Sequence, residues 1–269
     1  MSTMDKGYAL VTGASQGIGK AIAMELARHG FGIIATARNA NGLKALQEEA
    51  GRLNGGRVHL VVADILEHGA VDRLVQETLA HGSPLTCLVN NAGQANWGLF
   101  ETLGLEEQLR MMRLNMEVPV SLAHKLLPHL KKQKQAYLLN VSSMTAFHAL
   151  ASMAIYASSK AFLMRWSRSL RMELRGSVNV TCVCPGTVST GFIERAGMQA
   201  MEELANKFAT PPEPVAKAAV AGLLKNKAVV VPGVSNAFTV KLQKLVPSAV
   251  TEGVASSIYL KRLPKKGME

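Results

Sequence analysis

The chain has 269 residues, 48% of them apolar and 18% charged, a balance that fills a large globular core and excludes a disordered chain. Its formal charge of +11, from 30 Lys and Arg against 19 Asp and Glu, attracts anions. The cations are spread over helical stretches with no aromatic-interleaved basic stripe, so no nucleic-acid partner is expected.

In chain order, Met1 to Lys6 is short and polar and leads straight into the apolar run Tyr8–Val11. That leaves no room for a signal peptide, and a cytoplasmic protein is expected. No apolar run reaches the roughly 20 residues that span a bilayer, so no transmembrane segment is expected. Strand-like runs recur at Tyr8–Val11, Gly32–Ala37, Arg57–Val62, Leu85–Val89, Ala136–Val141, Val178–Val183 and Ala228–Val231, with amphipathic helical stretches between them. Continuously apolar strands alternating with helices predict an α/β fold: a doubly wound, seven-stranded parallel sheet, Rossmann-like, with 1–269 as a single domain.

Two of the three cysteines, Cys182 and Cys184, lie two apart in a strand and so share one face, as reduced core residues. The seven histidines form no paired ligand motif, so no metal is expected. Pro211–Pro214 marks the start of a helix over Val215–Leu224. A C-terminal extension, 233–269, carries apolar residues at Phe238, Val240, Leu242, Leu245 and Val246 among Lys241 and Lys244, and ends with Lys261, Arg262, Lys265 and Lys266. Packing on the body or at a dimer contact is one reading of it, and peripheral membrane contact is another.

Chemistry first enters after the first strand. Thr12 is followed by Gly13, Ser15, Gln16, Gly17, Ile18 and Gly19, and the chain then turns helical from Lys20. Such a turn lets backbone N–H groups approach a pyrophosphate, which the positive end of the helix dipole favours. After the second strand, where NAD-preferring proteins place an acid on the adenosine ribose, this chain has Arg38 and Asn39. Arg38 can pair with a 2′-phosphate, so NADP(H) is the expected cofactor.

These motifs, with those that follow, resemble the short-chain dehydrogenase/reductase family across about residues 7–195. Thr12–Gly19 is similar to its T-G-x-x-x-G-x-G loop, Asp64 stands like its adenine-contacting aspartate, and Asn90-Asn91-Ala92-Gly93 matches N-N-A-G. Asn115 corresponds to its helix asparagine, Ser143 to its serine, and Tyr156 with Lys160 to its Y-x-x-x-K. Pro185, Gly186, Val188 and Thr190 resemble the P-G-x-V-x-T segment that closes over the nicotinamide. The resemblance implies a dimer or tetramer and a variable lid over about 190–210, whose Phe192, Ile193, Met198, Met201 and Leu204 suit a lipophilic substrate.

The expected chemistry interconverts a small-molecule carbonyl and alcohol. Tyr156 is the general acid, Ser143 holds the carbonyl oxygen, and Lys160, four residues on along one helix face, lowers the Tyr156 pKa. By resemblance, Lys160 also binds ribose and Asn115 holds a water that feeds it protons. Trp97, Phe147 and His148, in loops at strand C-terminal ends, are expected to shape the substrate pocket. The alternative is a non-catalytic NADP(H)-binding or sensor protein on the same fold.

Overall fold

A computed structural model describes residues 6–201, 209–243 and 245–263. Every expected strand forms: β1 (Tyr8–Thr12), β2 (Gly32–Ala37), β3 (Val58–Val62), β4 (Leu85–Asn90), β5 (Tyr137–Val141), β6 (Asn179–Val183) and β7 (Val229–Val230). They pair throughout in parallel, in the order β3-β2-β1-β4-β5-β6-β7. The order reverses between β1 and β4, which opens a crevice at the C-terminal edge of the sheet.

Side-chain alternation explains why the strands are apolar on both faces. Ala9 and Val11 of β1 join one core cluster with Leu26, Leu43 and Ala219, from α1 (Gly17–Arg28), α2 (Ala40–Asn54) and α8 (Pro212–Leu224). Leu10 turns to the other face, against Leu74, Leu122 and Leu170 of α3 (Ala70–Ala80), α5 (Val118–Leu130) and α6 (Ala154–Glu173). Asn39 caps α2 by accepting from the Gly42 N–H at 3.0 Å. Pro212 opens α8, three residues before the expected start, where its missing N–H costs nothing.

Between α4 (Leu105–Met112) and α5 the helix widens into a π turn, Arg113–Glu117, with Asn115 fully buried inside it. π turns of this kind cluster at functional sites. The short α7 (Phe192–Arg195) follows β6, and the extension folds into α9 (Val234–Gln243) and α10 (Ser248–Leu260). α10 packs back on the body. Its Ser256 Oγ accepts from the Ala151 N–H at 3.0 Å, and its Ala255 and Tyr259 pack against the apolar cluster that includes Tyr156. Leu204, Lys244, Lys265 and Lys266 lie outside the described residues.

One buried polar chain sets α6 against the sheet. Asn90 Nδ2 donates to Asn140 Oδ1 at 2.8 Å, and Asn140 Nδ2 donates to Ser167 Oγ at 2.8 Å. Ser167 donates in turn to Leu163 O. Asn140→Ala would leave Asn90 Nδ2 only its 3.4 Å bond to Pro119 O, take the donor from Ser167 Oγ and open a void at a fully buried position. It is expected to cost about 2–4 kcal/mol, read as a lower urea midpoint with an unchanged slope.

Candidate active site

The crevice is a cavity of about 840 Å³ running from the N-terminus of α1 to α10. At one end lies the glycine turn. Gly17 takes φ +57°, and a Cβ on Gly19 would meet Gly13 O at 2.3 Å, so only glycine lets the turn close this tightly against α1. Gln16 precedes α1 with no side-chain cap, and the first turn of α1 carries no acid. Backbone donors of Gly17, Ile18 and Gly19 are therefore left for an anion. Thr12 ties the turn to β4: its hydroxyl accepts from Asn91 N and Ala92 N at 3.0 Å, and Asn91 Nδ2 donates to Thr12 O at 2.8 Å.

The end of β2 holds three charged groups. Arg110 Nη2 of α4 donates to Asp64 Oδ2 at 2.8 Å, Arg38 Nη1 lies 3.7 Å from the same oxygen, and Asp64 Oδ1 accepts from Leu66 N at 3.1 Å. Burial works to raise the Asp64 pKa, but the Leu66 N–H and the two guanidiniums outweigh it and hold the carboxyl below its ordinary value. Asp64 sits at this end of the cavity, between the lining residues Ala63 and Ile65 and against Arg38 and Arg110. Arg110 does line the cavity beside Arg38, and no sequence motif marks it, because α4 brings it in from 46 residues away.

At the inner end Ser143, Tyr156 and Lys160 converge on the cavity wall. Ser143 stands close enough to Tyr156 to draw its pKa down, and its Oγ accepts from Thr145 N at 3.2 Å, capping a 3-10 turn over Met144–Phe147. The neighbouring Ser142 points elsewhere, donating to Lys160 O at 2.7 Å. Lys160 Nζ donates to Val141 O at 3.1 Å and stands 5.7 Å from the Tyr156 ring centre.

Burial dominates both groups. It pushes the Tyr156 phenol up to about 12, against the pull of Ser143, and the Lys160 ammonium down to about 8. Desolvation of the phenolate, and not the Lys160 ammonium, sets the direction of the Tyr156 shift.

Asn115 lies behind this wall and does not line it. Its Oδ1 accepts from Gln94 N at 3.0 Å, and its Nδ2 donates to Gln94 O at 2.9 Å and Ser159 Oγ at 3.0 Å. The remaining motif residues, Gly13, Ser15, Gln16, Asn91 to Gly93, Pro185, Gly186, Val188 and Thr190, all line the cavity. So do Phe192, Ile193, Met198 and Met201 of the expected lid, and His148.

Trp97 and Phe147 do not line the cavity directly: Trp97 is buried in the core cluster that holds Tyr156, Met198 and Met201, its Nε1 donating to Ser152 Oγ at 3.0 Å, and Phe147 packs towards Cys182 and Cys184. Both loops turn these rings inward, where they bury more apolar area. Conversely, Met153, Asn236, Ile258 and Tyr259 line the cavity without any sequence signal. The three cysteines are buried and unpaired, and among the described residues no cluster of three metal-ligating side chains occurs.

The family model for short chain dehydrogenase matches residues 7–200, from β1 through the lid. This chain belongs to that family. It is 32% identical over 250 residues to the ketoacyl reductase HetN of a Nostoc species, covering 91% of this chain and 85% of that one. It is 35% identical over 183 residues to the 11-beta-hydroxysteroid dehydrogenase-like 4A of Arabidopsis thaliana, covering 68% of this chain and 61% of that protein. A short-chain dehydrogenase from Sphingobium yanoikuyae, solved with NADPH, superposes with a TM-score of 0.78 at 27% identity over 93% of this chain and 94% of its own. The chain is thus a Rossmann-fold oxidoreductase of a family that uses nicotinamide cofactors.

Replacing Arg110 by Ala is expected to uncover the Asp64 charge beside Arg38 and weaken 2′,5′-ADP roughly tenfold while changing ADP little, as measured by titration calorimetry.

Proposed function

We propose that this short-chain dehydrogenase uses NADP(H) to interconvert a lipophilic carbonyl and its alcohol, acting chiefly as a reductase with Tyr156 as general acid. The observation that carries this reading is a single cavity with Ser143, Tyr156 and Lys160 at its inner end and unspent helix donors beside Arg38 and Arg110 at the other.

The residues present fit the cofactor. The α1 N-terminus suits a pyrophosphate, Arg38 a 2′-phosphate, and Lys160 the ribose hydroxyls, while Asn91 to Gly93, Pro185, Gly186, Val188 and Thr190 form the wall for the nicotinamide half. When bound, the cofactor supplies a hydride. The chain supplies everything else. Ser143 donates a hydrogen bond to the carbonyl oxygen, and Tyr156 gives its proton to that oxygen as negative charge develops there. A phenol raised to about 12 keeps its proton through neutrality, so it stands ready as an acid rather than a base. Lys160 then stabilises the phenolate, and Asn115, bonded to Gln94 and Ser159, fixes the wall behind it. Phe192, Ile193, Met198 and Met201 offer an apolar wall to the substrate, in keeping with relatives named for ketoacyl and hydroxysteroid chemistry.

NADPH oxidation across a panel of apolar ketones, aldehydes and acyl thioesters tests the reading. Tyr156→Phe is expected to lower kcat by about 10²- to 10⁴-fold with NADPH still bound. Arg38→Ala is expected to raise the NADPH Kd by roughly ten- to a hundredfold and leave NADH nearly unchanged. Binding of NADPH without turnover of any substrate in either direction would favour a cofactor sensor, and a preference for NADH would remove the role given to Arg38.

The pH profile follows from Lys160. Below its pKa of about 8 the ammonium is present to stabilise a Tyr156 phenolate, and above it the charge is lost. The kcat/KM for reduction is expected to fall as pH rises through about 8. In Lys160→Arg, whose charge persists, a residual activity without that break is expected.

A further inference from the structure

Of the helices of the extension, α9 buries Val240 and α10 turns half-buried Ala255, Ser256 and Tyr259 to the body, and each leaves an apolar stripe exposed. On α9, Val234, Phe238 and Leu242 are exposed, Val234 by 90% and Phe238 by 65%, while Val240 is buried. On α10, Val250, Val254 and Ile258 are exposed, at the same i, i+4, i+8 spacing that keeps a set on one face. The opposite face of α10 is committed to the body through Ala255, Ser256 and Tyr259. The stripes therefore remain when the core is complete, and apolar surface of this kind marks an interaction site.

Charge decides what covers them. Residues 233–263 carry Lys241, Lys244, Lys261 and Arg262 against one carboxylate, Glu252. Glu252 accepts from the Ala149 N–H of the body at 3.4 Å and so lies on the inward side of α10. Lys241 follows Phe238 by three residues, and Lys261 follows Ile258 by three, which puts each cation beside its stripe. Both are exposed. A second copy of this chain docking through the same face would bring lysines onto lysines. A bilayer surface with anionic headgroups meets both demands at once, taking the apolar stripes into its acyl boundary and pairing the cations with phosphates.

We propose that the outward faces of α9 and α10 form a docking surface by which the protein lies on an anionic lipid membrane. Among the described residues no helix is long and apolar enough to cross one, so the attachment is peripheral. Ile258 belongs both to the exposed stripe and to the cavity wall. Docking therefore brings the cavity to the membrane boundary, where lipophilic molecules concentrate. The surface itself does not depend on the reaction assigned above.

The test is co-sedimentation of the full-length protein with vesicles of phosphatidylcholine alone, or of phosphatidylcholine with an equal amount of phosphatidylglycerol. The expected result is binding to the mixed vesicles that weakens in raised salt and on phosphatidylcholine alone. Lys241→Glu with Lys261→Glu is expected to reduce that binding roughly tenfold or more, and Phe238→Ser with Val254→Ser comparably. Met172→Ser, at an apolar residue of α6 that is 70% exposed and outside both stripes, is expected to bind as the unaltered protein does. Circular dichroism checks that each variant folds, and the unaltered protein with Met172→Ser keeps the test decisive if one stripe variant does not.

Failure of the unaltered protein to sediment with mixed vesicles would overturn the proposal, as would equal binding to both vesicle types. So would a dimer, seen by sedimentation equilibrium, that dissociates in Phe238→Ser with Val254→Ser, since a second copy would then be the occupant. NADPH oxidation on a water-soluble ketone, measured beside these, bears on the reductase reading alone.

Discussion

The hydroxyl of Thr12 holds together the two strands between which the site opens. It donates to Val89 O at 3.3 Å and accepts from Asn91 N and Ala92 N, joining the end of β1 to the end of β4. At this point the strand order reverses and successive helices leave on opposite faces, and the Thr12 hydroxyl extends the β1–β4 pairing past its last backbone partners, Val11 and Val89. The glycine turn, the donors of α1 and the Asn91–Gly93 wall all take their positions from this junction. Asn91 reinforces it from the other side through Thr12 O and Gly13 O. Residues that read as cofactor contacts in the motif thus also build the cradle.

Deeper in, burial governs the electrostatics. Tyr156 and Lys160 share a helix face as their spacing requires, but the interior that brings them together also disfavours charge on each. Burial thus holds the phenol protonated and weakens the ammonium beside it. The buried chain from Asn90 through Asn140 to Ser167 keeps α6 in register with β4 and β5, so these two side chains are set by hydrogen bonds well away from the reacting atoms.

The extension contributes at two levels. Its inner face closes the substrate end of the cavity with Tyr259 and Ile258, and its outer face carries the apolar stripes and lysines. One short helix thereby links what the cavity admits to what the surface meets. Apolar side chains line this end of the cavity and mark the outer face of the same helix.

The sequence by itself determined the sheet, since strands buried on both faces must be continuously apolar and the helices between them amphipathic. It also determined the glycine turn and the Ser143, Tyr156 and Lys160 set, because backbone clearance and helix periodicity are local properties. It marked the extension as amphipathic but left open which face packs. Only the tertiary structure decided that Arg110 reaches Asp64, that Trp97 joins the core and Phe147 packs against it, and that Ile258 and Tyr259 of α10 line the cavity. Each of these depends on residues far apart in the chain. The same holds for the pKa values: periodicity can place an ammonium beside a phenol, but how strongly the surroundings resist their charges is settled only when the whole fold has excluded water from both.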